Sequence, residues 1–216
     1  MASKAGRNRM YLHLELKTMA TDRLGEAVQR LHYLHTLMAA APGFVNSQIC
    51  EYLGNPGQYL IVRTWTEGSA HAAFRQTAPA RDFAGSRPAG FIYDNLAVQE
   101  WQCVLETPGA AAGDYVVRQL YSIESAVWPA FVAERRRHDS AALASGGVTS
   151  LRTFRMVANE KADDTQAFVL DRWADRAAYV RFLASPQLAE YRQKARFSGS
   201  GLTECYHIED EVLSKG

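Results

Sequence analysis

Trp65 and Trp173 lie 108 residues apart, and each stands where an apolar, strand-like run gives way at once to a helix-like one. Superimposing them aligns "YLIVRTWTEGSAHAAF" (59–74) with "FVLDRWADRAAYVRF" (168–182 as counted from the tryptophan), so that Phe74 falls on Phe182 and His71 on Tyr179. Upstream, "MYLHLELKT" (10–18) pairs with "DYVVRQLYS" (114–122) at an offset of 104. A longer turn in the second copy, "ANEKADDTQ" in place of "GNPGQ", accounts for the difference of four. An internal duplication restricts the chain to two versions of one small fold.

Each copy reads in the same order. Tyr11–Lys17 alternates Leu12, Leu14 and Leu16 against Tyr11, His13, Glu15 and Lys17, the period of a strand. From Thr21 to Met38 the apolar residues recur at spacings of three and four, which predicts a helix capped by Thr21 and its neighbour Asp22. "FVNSQICEYL" and "QYLIVRTWT" form a hairpin around "GNPG". A second helix opens at Glu67 and Gly68 near "SAHAAFRQT", and "FIYDNLAVQEWQCVLE" closes the unit as a long strand. The second copy predicts strands at 115–123, 148–157, 166–173 and 202–213. Its helices are expected at about 125–142 and 175–194, the latter broken at Pro186.

This is the β-α-β-β-α-β order of a ferredoxin-like fold. The expected organisation is a disordered leader (1–9), a first repeat (10–106), a small flexible linker (107–113) and a second repeat (114–213). Phe91, Tyr93, Leu96, Val98 and Trp101 place apolar side chains on both faces of the closing strand, so the face without helices needs a cover. The fold class expected is α+β: two ferredoxin-like repeats packed sheet to sheet, as an intramolecular dimeric α+β barrel. Whether the tandem unit associates further, as a homodimer, the sequence leaves open.

Charge is balanced. Residues 1–107 carry 10 basic and 9 acidic side chains and residues 108–216 carry 14 of each, so neither half has the basic excess that nucleic acid requires. No run of about 18 apolar residues suggests a membrane span. Cys50, Cys103 and Cys205 are isolated and lack metal-ligand spacing, which fits a reducing, cytoplasmic setting and no metal site. Phosphate loops, GxSxG elbows and HExxH motifs are missing from the sequence.

With "APGFVNSQICEYLGNPGQYLIVRTWTEGSAHAAF" in the first half and "FVLDRWADRAAYVRFLASPQLAEY" in the second, the chain resembles the antibiotic biosynthesis monooxygenase family of dimeric α+β barrels. The shared features are a glycine-containing turn into the second strand, a tryptophan ending the third, and an aromatic-bearing helix with a Ser-Pro break. The resemblance implies oxygenation of an aromatic or polyketide-type molecule in secondary metabolism, with O₂ and without metal or flavin. It also implies an alternative, haem binding or haem-dependent chemistry, and a further one in which the barrel binds a ligand and catalyses nothing. Family residues transfer incompletely. The asparagine of quinone-forming members falls on Ile61 and Val169, and the iron-binding histidine of haem-degrading members on Ala84 and Arg192.

The candidate site therefore rests on other residues. Trp65 and Trp173 fill space under a helix and can also stack on a flat ligand. His35 lies on the apolar stripe of the first helix, four residues after Leu31, with His32 on its flank. His35 and His71, beside Trp65, are the candidate catalytic groups, since histidine titrates near neutrality and can accept a phenolic proton. Arg63, His13, Trp173 and Tyr179 are the candidate substrate-binding residues. The "ERRRHD" run (134–139) reads as a solvated charged face, and His207 has no partner that the sequence identifies.

Overall fold

In a computed structural model of the chain, the described residues are 10–86, 93–157, 164–194 and 203–215. The leader (1–9), Phe91 and the side chain of Tyr93 lie outside them. The fold is α+β, and the described residues form eight antiparallel strands and six α-helices in two ferredoxin-like repeats. The first repeat contributes β1 (Tyr11–Met19), α1 (Leu24–Met38), β2 (Phe44–Tyr52), β3 (Gln58–Trp65), α2 (Gly68–Arg75), α3 (Ala78–Gly85) and β4 (Tyr93–Pro108). The second contributes β5 (Tyr115–Glu124), α4 (Trp128–Ser145), β6 (Val148–Met156), β7 (Asp164–Trp173), α5 (Arg176–Leu183), α6 (Pro186–Lys194) and β8 (Thr203–Leu213).

By compactness the chain divides into Met1–Ile49 with Gly57–Gln102 and Glu209–Gly216, and Cys50–Pro56 with Cys103–Ile208. Each unit thus keeps the body of one repeat and includes a strand end from the other. Within the first unit the strands run β4-β1-β3-β2, and within the second β8-β5-β7-β6. Register repeats as well as order: Tyr11 lies opposite Trp65, and Tyr115 opposite Trp173.

The glycine-to-tryptophan signature has a structural cause that is the same in both copies. Gly43 and Gly147 enter the second strand of their repeats at φ +79° and +78°, a region that disfavours residues with a Cβ. Their carbonyls accept hydrogen bonds from the residues after the tryptophans, Thr66 N–H at 2.7 Å and Ala174 N–H at 2.8 Å. A Cβ on Gly43 would meet Ala70 Cβ at 2.7 Å, and one on Gly147 would meet Ala178 Cβ at 2.6 Å. The helix after each tryptophan therefore sits directly on the glycine.

One face of β1 and β3 packs under the helices. Tyr11, Trp65, Phe44, Met38, Phe74 and Ala80 form one cluster there, and Met19, Ile49, Tyr59, Ile61, Ala27 and Leu31 another. In the second unit Tyr115, Trp173, Leu151, Ala178, Phe182 and Leu188 do the same.

Two expectations are corrected. Thr21 does not cap the first helix: it starts a short 3₁₀ turn (Thr21–Arg23), so α1 begins only at Leu24 with Arg23 in the cap position and no side-chain cap. The helix near "SAHAAFRQT" is α2, opening at Gly68 as expected, and a further helix, α3, follows after a break, with the Thr77 hydroxyl accepting from Ala80 N–H and a proline in the first turn. That is the counterpart of the break at Pro186, where Ser185 Oγ accepts from Leu188 N–H at 3.1 Å. Finally, Trp101 is fully buried, but Leu96 and Val98 are exposed. Val98 pairs with Glu15, while Leu96 is the extra residue where the β1–β4 register shifts.

Candidate functional site

The period-two pattern of β1 sends Tyr11, His13, Glu15 and Lys17 to the face that also bears Arg63 and Trp65 of β3. Instead of meeting solvent, this polar row lies beneath α1 and α2. His13, Lys17, His35, Arg63 and His71 are all buried, and Trp65 is wholly so. Of the first-half candidates, the His71 ring packs on those of Trp65 and His13, and His35 is bonded to Arg63.

Arg63 joins the group. Its NH1 lies 2.6 Å from Glu15 Oε1, and its Nε donates to His35 Nε2 at 3.2 Å. Glu15 also takes Lys17 Nζ at 2.8 Å and His13 Nε2 at 3.1 Å, and Lys17 in turn donates to Asn95. Arg63, Lys17 and Glu15 together sum to one positive charge. Burial alone would raise the Glu15 carboxyl, but Arg63, the bond from His13 and Lys17 outweigh it and hold it far below the usual range.

His35 and His71 are held neutral. Burial, then Arg63, pushes His35 well below its ordinary value. Burial, then His13 and Arg63, lowers His71 to about 3. The His71 ring sits 4.4 Å from that of His13, 5.5 Å from Trp65 and 5.8 Å from Tyr11, centroid to centroid. Trp65 Nε1 is a buried donor with no hydrogen-bond partner among the described residues. Glu100, opposite His13 on β4, is exposed and marks where the cluster reaches solvent.

The second repeat keeps the aromatic frame and replaces the polar content. Tyr179 packs 5.6 Å from Trp173 and 5.9 Å from Tyr115, as His71 packs on Trp65 and Tyr11. Burial raises the Tyr179 hydroxyl to about 12. Asp171 stands where the first repeat has Arg63, two residues before the tryptophan, and pairs with Arg135 at 2.5 Å. Arg135 also pairs with Asp139 at 3.0 Å, and Thr107 donates to Asp139 at 3.1 Å.

The "ERRRHD" run is therefore not a solvated face. Glu134, Arg135 and Asp139 are buried, and only Arg136 and Arg137 are exposed. Asp171, on the strand above, draws Arg135 inward. Elsewhere, His32 is exposed and pairs with Asp210 at 2.7 Å, His207 pairs with Asp114 at 3.3 Å, and Arg192 is exposed.

Sequence reasoning missed Glu15, Lys17, Tyr11 and Glu100. The alternation of β1 did contain the first three, but a polar row on an amphipathic strand reads as the wet side. No helix among the described residues is long and apolar enough to cross a membrane.

Comparison with known proteins follows the repeat. Residues 10–86 match the profile of the antibiotic biosynthesis monooxygenase family. No curated protein matches significantly. Among solved structures, a candidate monooxygenase from Fusobacterium nucleatum subsp. nucleatum has a TM-score of 0.71 at 12% identity, covering 96% of this chain and 95% of its own. One from Lactobacillus acidophilus gives 0.70 at 12%, covering 95% and 96%. A haem-degrading enzyme from Listeria monocytogenes gives 0.51 at 14%, covering 90% and 98%. These likenesses span both repeats and are likenesses of fold. Residues 10–86 are thus similar to the antibiotic biosynthesis monooxygenase domain, and the chain shares its fold with these solved structures across both repeats.

Proposed function

We propose that the face of the first repeat beneath α1 and α2 is the active site of a monooxygenase acting on a flat hydroxyaromatic or polyketide-type molecule with O₂, using protein groups alone. One observation carries this reading: in the first repeat buried His71 packs between Trp65 and His13 while buried His35 bonds to Arg63, whereas the same frame in the second repeat is filled by Tyr179 and an internal ion pair.

The chemistry follows from the charges. Arg63 and Lys17 surround one carboxylate, so the cluster favours an incoming oxyanion. His71, neutral and in ring contact with Trp65, is the acceptor for the substrate hydroxyl proton. An oxyanion beside it would counter the burial and the cations that lower its proton affinity. His35, whose Nε2 receives Arg63 Nε–H, is a positioning residue. The unpartnered Trp65 Nε1–H offers a bond to a ligand oxygen. The phenolate then gives one electron to O₂, and the dry surroundings keep the radical and superoxide together until they combine.

Oxygen uptake with bicyclic and tricyclic hydroxyaromatics, in the presence of a chelator, tests the assignment. Wild type and Tyr179→Phe are expected to consume oxygen, and His71→Gln to lose at least 100-fold. Uptake unchanged in His71→Gln would overturn it.

Haem fits these residues poorly. His35 has committed Nε2 to Arg63, and the His71 ring already contacts Tyr11, His13 and Trp65 at 4.4–5.8 Å, so neither histidine is presented as a free axial ligand. Titration with hemin is expected to give broad nonspecific absorbance, and a sharp Soret band saturating at one equivalent would contradict this.

A further inference from the structure

The pairing of β1 with β4 sets Glu100 beside His13, and the first turn of α2 brings His71 onto the same spot. One donor atom from each of His13, His71 and Glu100 lies within 4.8 Å of the others. Two imidazoles and one carboxylate converging from three elements are the donor set of a facial metal site with open positions.

The surroundings of each residue point the same way. His13 Nε2 is bonded to Glu15 Oε1 at 3.1 Å, and Glu15 is held as a carboxylate by Arg63 at 2.6 Å. An ionised carboxylate only accepts, so Nε2 donates to it and Nδ1 is the ring nitrogen left over. That Nδ1 is buried and has no hydrogen-bond partner among the described residues, in a side chain more than nine-tenths buried. Such an orphan is unfavourable unless something else occupies it. A carboxylate on the far nitrogen is the arrangement that fixes the tautomer of a metal-bound histidine. Glu100 lies near the hydroxyl of Tyr11, which burial and then this carboxylate hold above its ordinary value.

We propose that His13, His71 and Glu100 bind one divalent first-row transition ion, with Glu15 and Tyr11 as its supporting shell. An ion about 2.1 Å from each donor needs those donors roughly 3–3.5 Å apart, so modest rotamer changes close the site. Arg63 and Lys17 oppose the added charge and Glu15 offsets part of it, which sets the expected affinity in the micromolar range. The second repeat is an internal control: its register places Val117 and Cys205 opposite each other, with Tyr179 on the helix, and no such donor set results among the described residues. This inference shares residues with the proposed active site but not its reaction, so binding is measurable whether or not any substrate is turned over.

The test is titration of chelator-treated protein with Co²⁺, followed by visible absorption and calorimetry, with Zn²⁺ as competitor. One equivalent is expected to bind with new visible bands. His71→Ala and Glu100→Gln are each expected to weaken it at least tenfold, while Tyr179→Phe and His207→Ala leave it unchanged. Glu100 is exposed, so Glu100→Gln is expected to fold, which circular dichroism verifies. No stoichiometric binding to the wild type, or binding that persists in both His71→Ala and Glu100→Gln, would overturn the proposal.

Discussion

At the scale of single residues, the two copies share their strictest requirement and differ in their charges. Gly43→Ala and Gly147→Ala each force a Cβ into a positive-φ position and against a helix alanine. Each is expected to lower stability in urea by more than about 1 kcal/mol. Arg135 is kept charged by Asp171 and Asp139 despite complete burial. Arg135→Met strands both carboxylates and is expected to cost about 3–5 kcal/mol, part of which Asp171→Asn in the same chain restores.

His35 and His138 are both lowered by burial, then by Arg63 and Arg135 respectively. Their folded values lie below the unfolded value of about 6.5, so the unfolded chain binds more protons as pH falls. This stability contribution is complete above pH about 6.5 and is lost as pH drops below it. Denaturation midpoints are expected to decline from pH 7 to 5, with a shallower decline in His35→Gln.

At the scale of elements, hydrophobic period served well wherever one face is apolar. The strands of both hairpins, the helices α1 and α4 and the break at Pro186 were all legible from spacing and turn residues. What resisted reading was burial of polar faces. β1 alternates cleanly, yet its Tyr11-His13-Glu15-Lys17 side lies under helices, where only the partners on β3 and α1 explain why charge is tolerated. The α4 run 134–139 failed for the same reason, since its inward pull comes from Asp171 in another element. The α2–α3 break was missed although Thr77 and a proline mark it as Ser185 and Pro186 mark the other. Ser185→Ala, which removes the cap of α6, is expected to cost about 1 kcal/mol by thermal denaturation.

At the scale of the molecule, duplication followed by divergence has left one frame with two contents. Tyr11, Trp65 and Phe74 correspond to Tyr115, Trp173 and Phe182; in each set the phenylalanine packs on the tryptophan, and the tyrosine and tryptophan hold the residue that differs, His71 or Tyr179. The strand residue two before the tryptophan is Arg63 in one copy and Asp171 in the other, so the sign of the buried charge is reversed. A cationic cluster suits an anionic oxygen, whereas the second copy satisfies its charges internally.

The most direct measurement is absorbance titration of a naphthol-type hydroxyaromatic bound to the protein, compared with the free compound. The bound hydroxyl is expected to ionise at least about one pH unit lower, equivalent to about 1.4 kcal/mol of preference for the oxyanion. Arg63→Met is expected to abolish the shift and Tyr179→Phe to preserve it. Ionisation at the same or a higher pH than the free compound, or a shift that survives Arg63→Met, would contradict an oxyanion site in the first repeat.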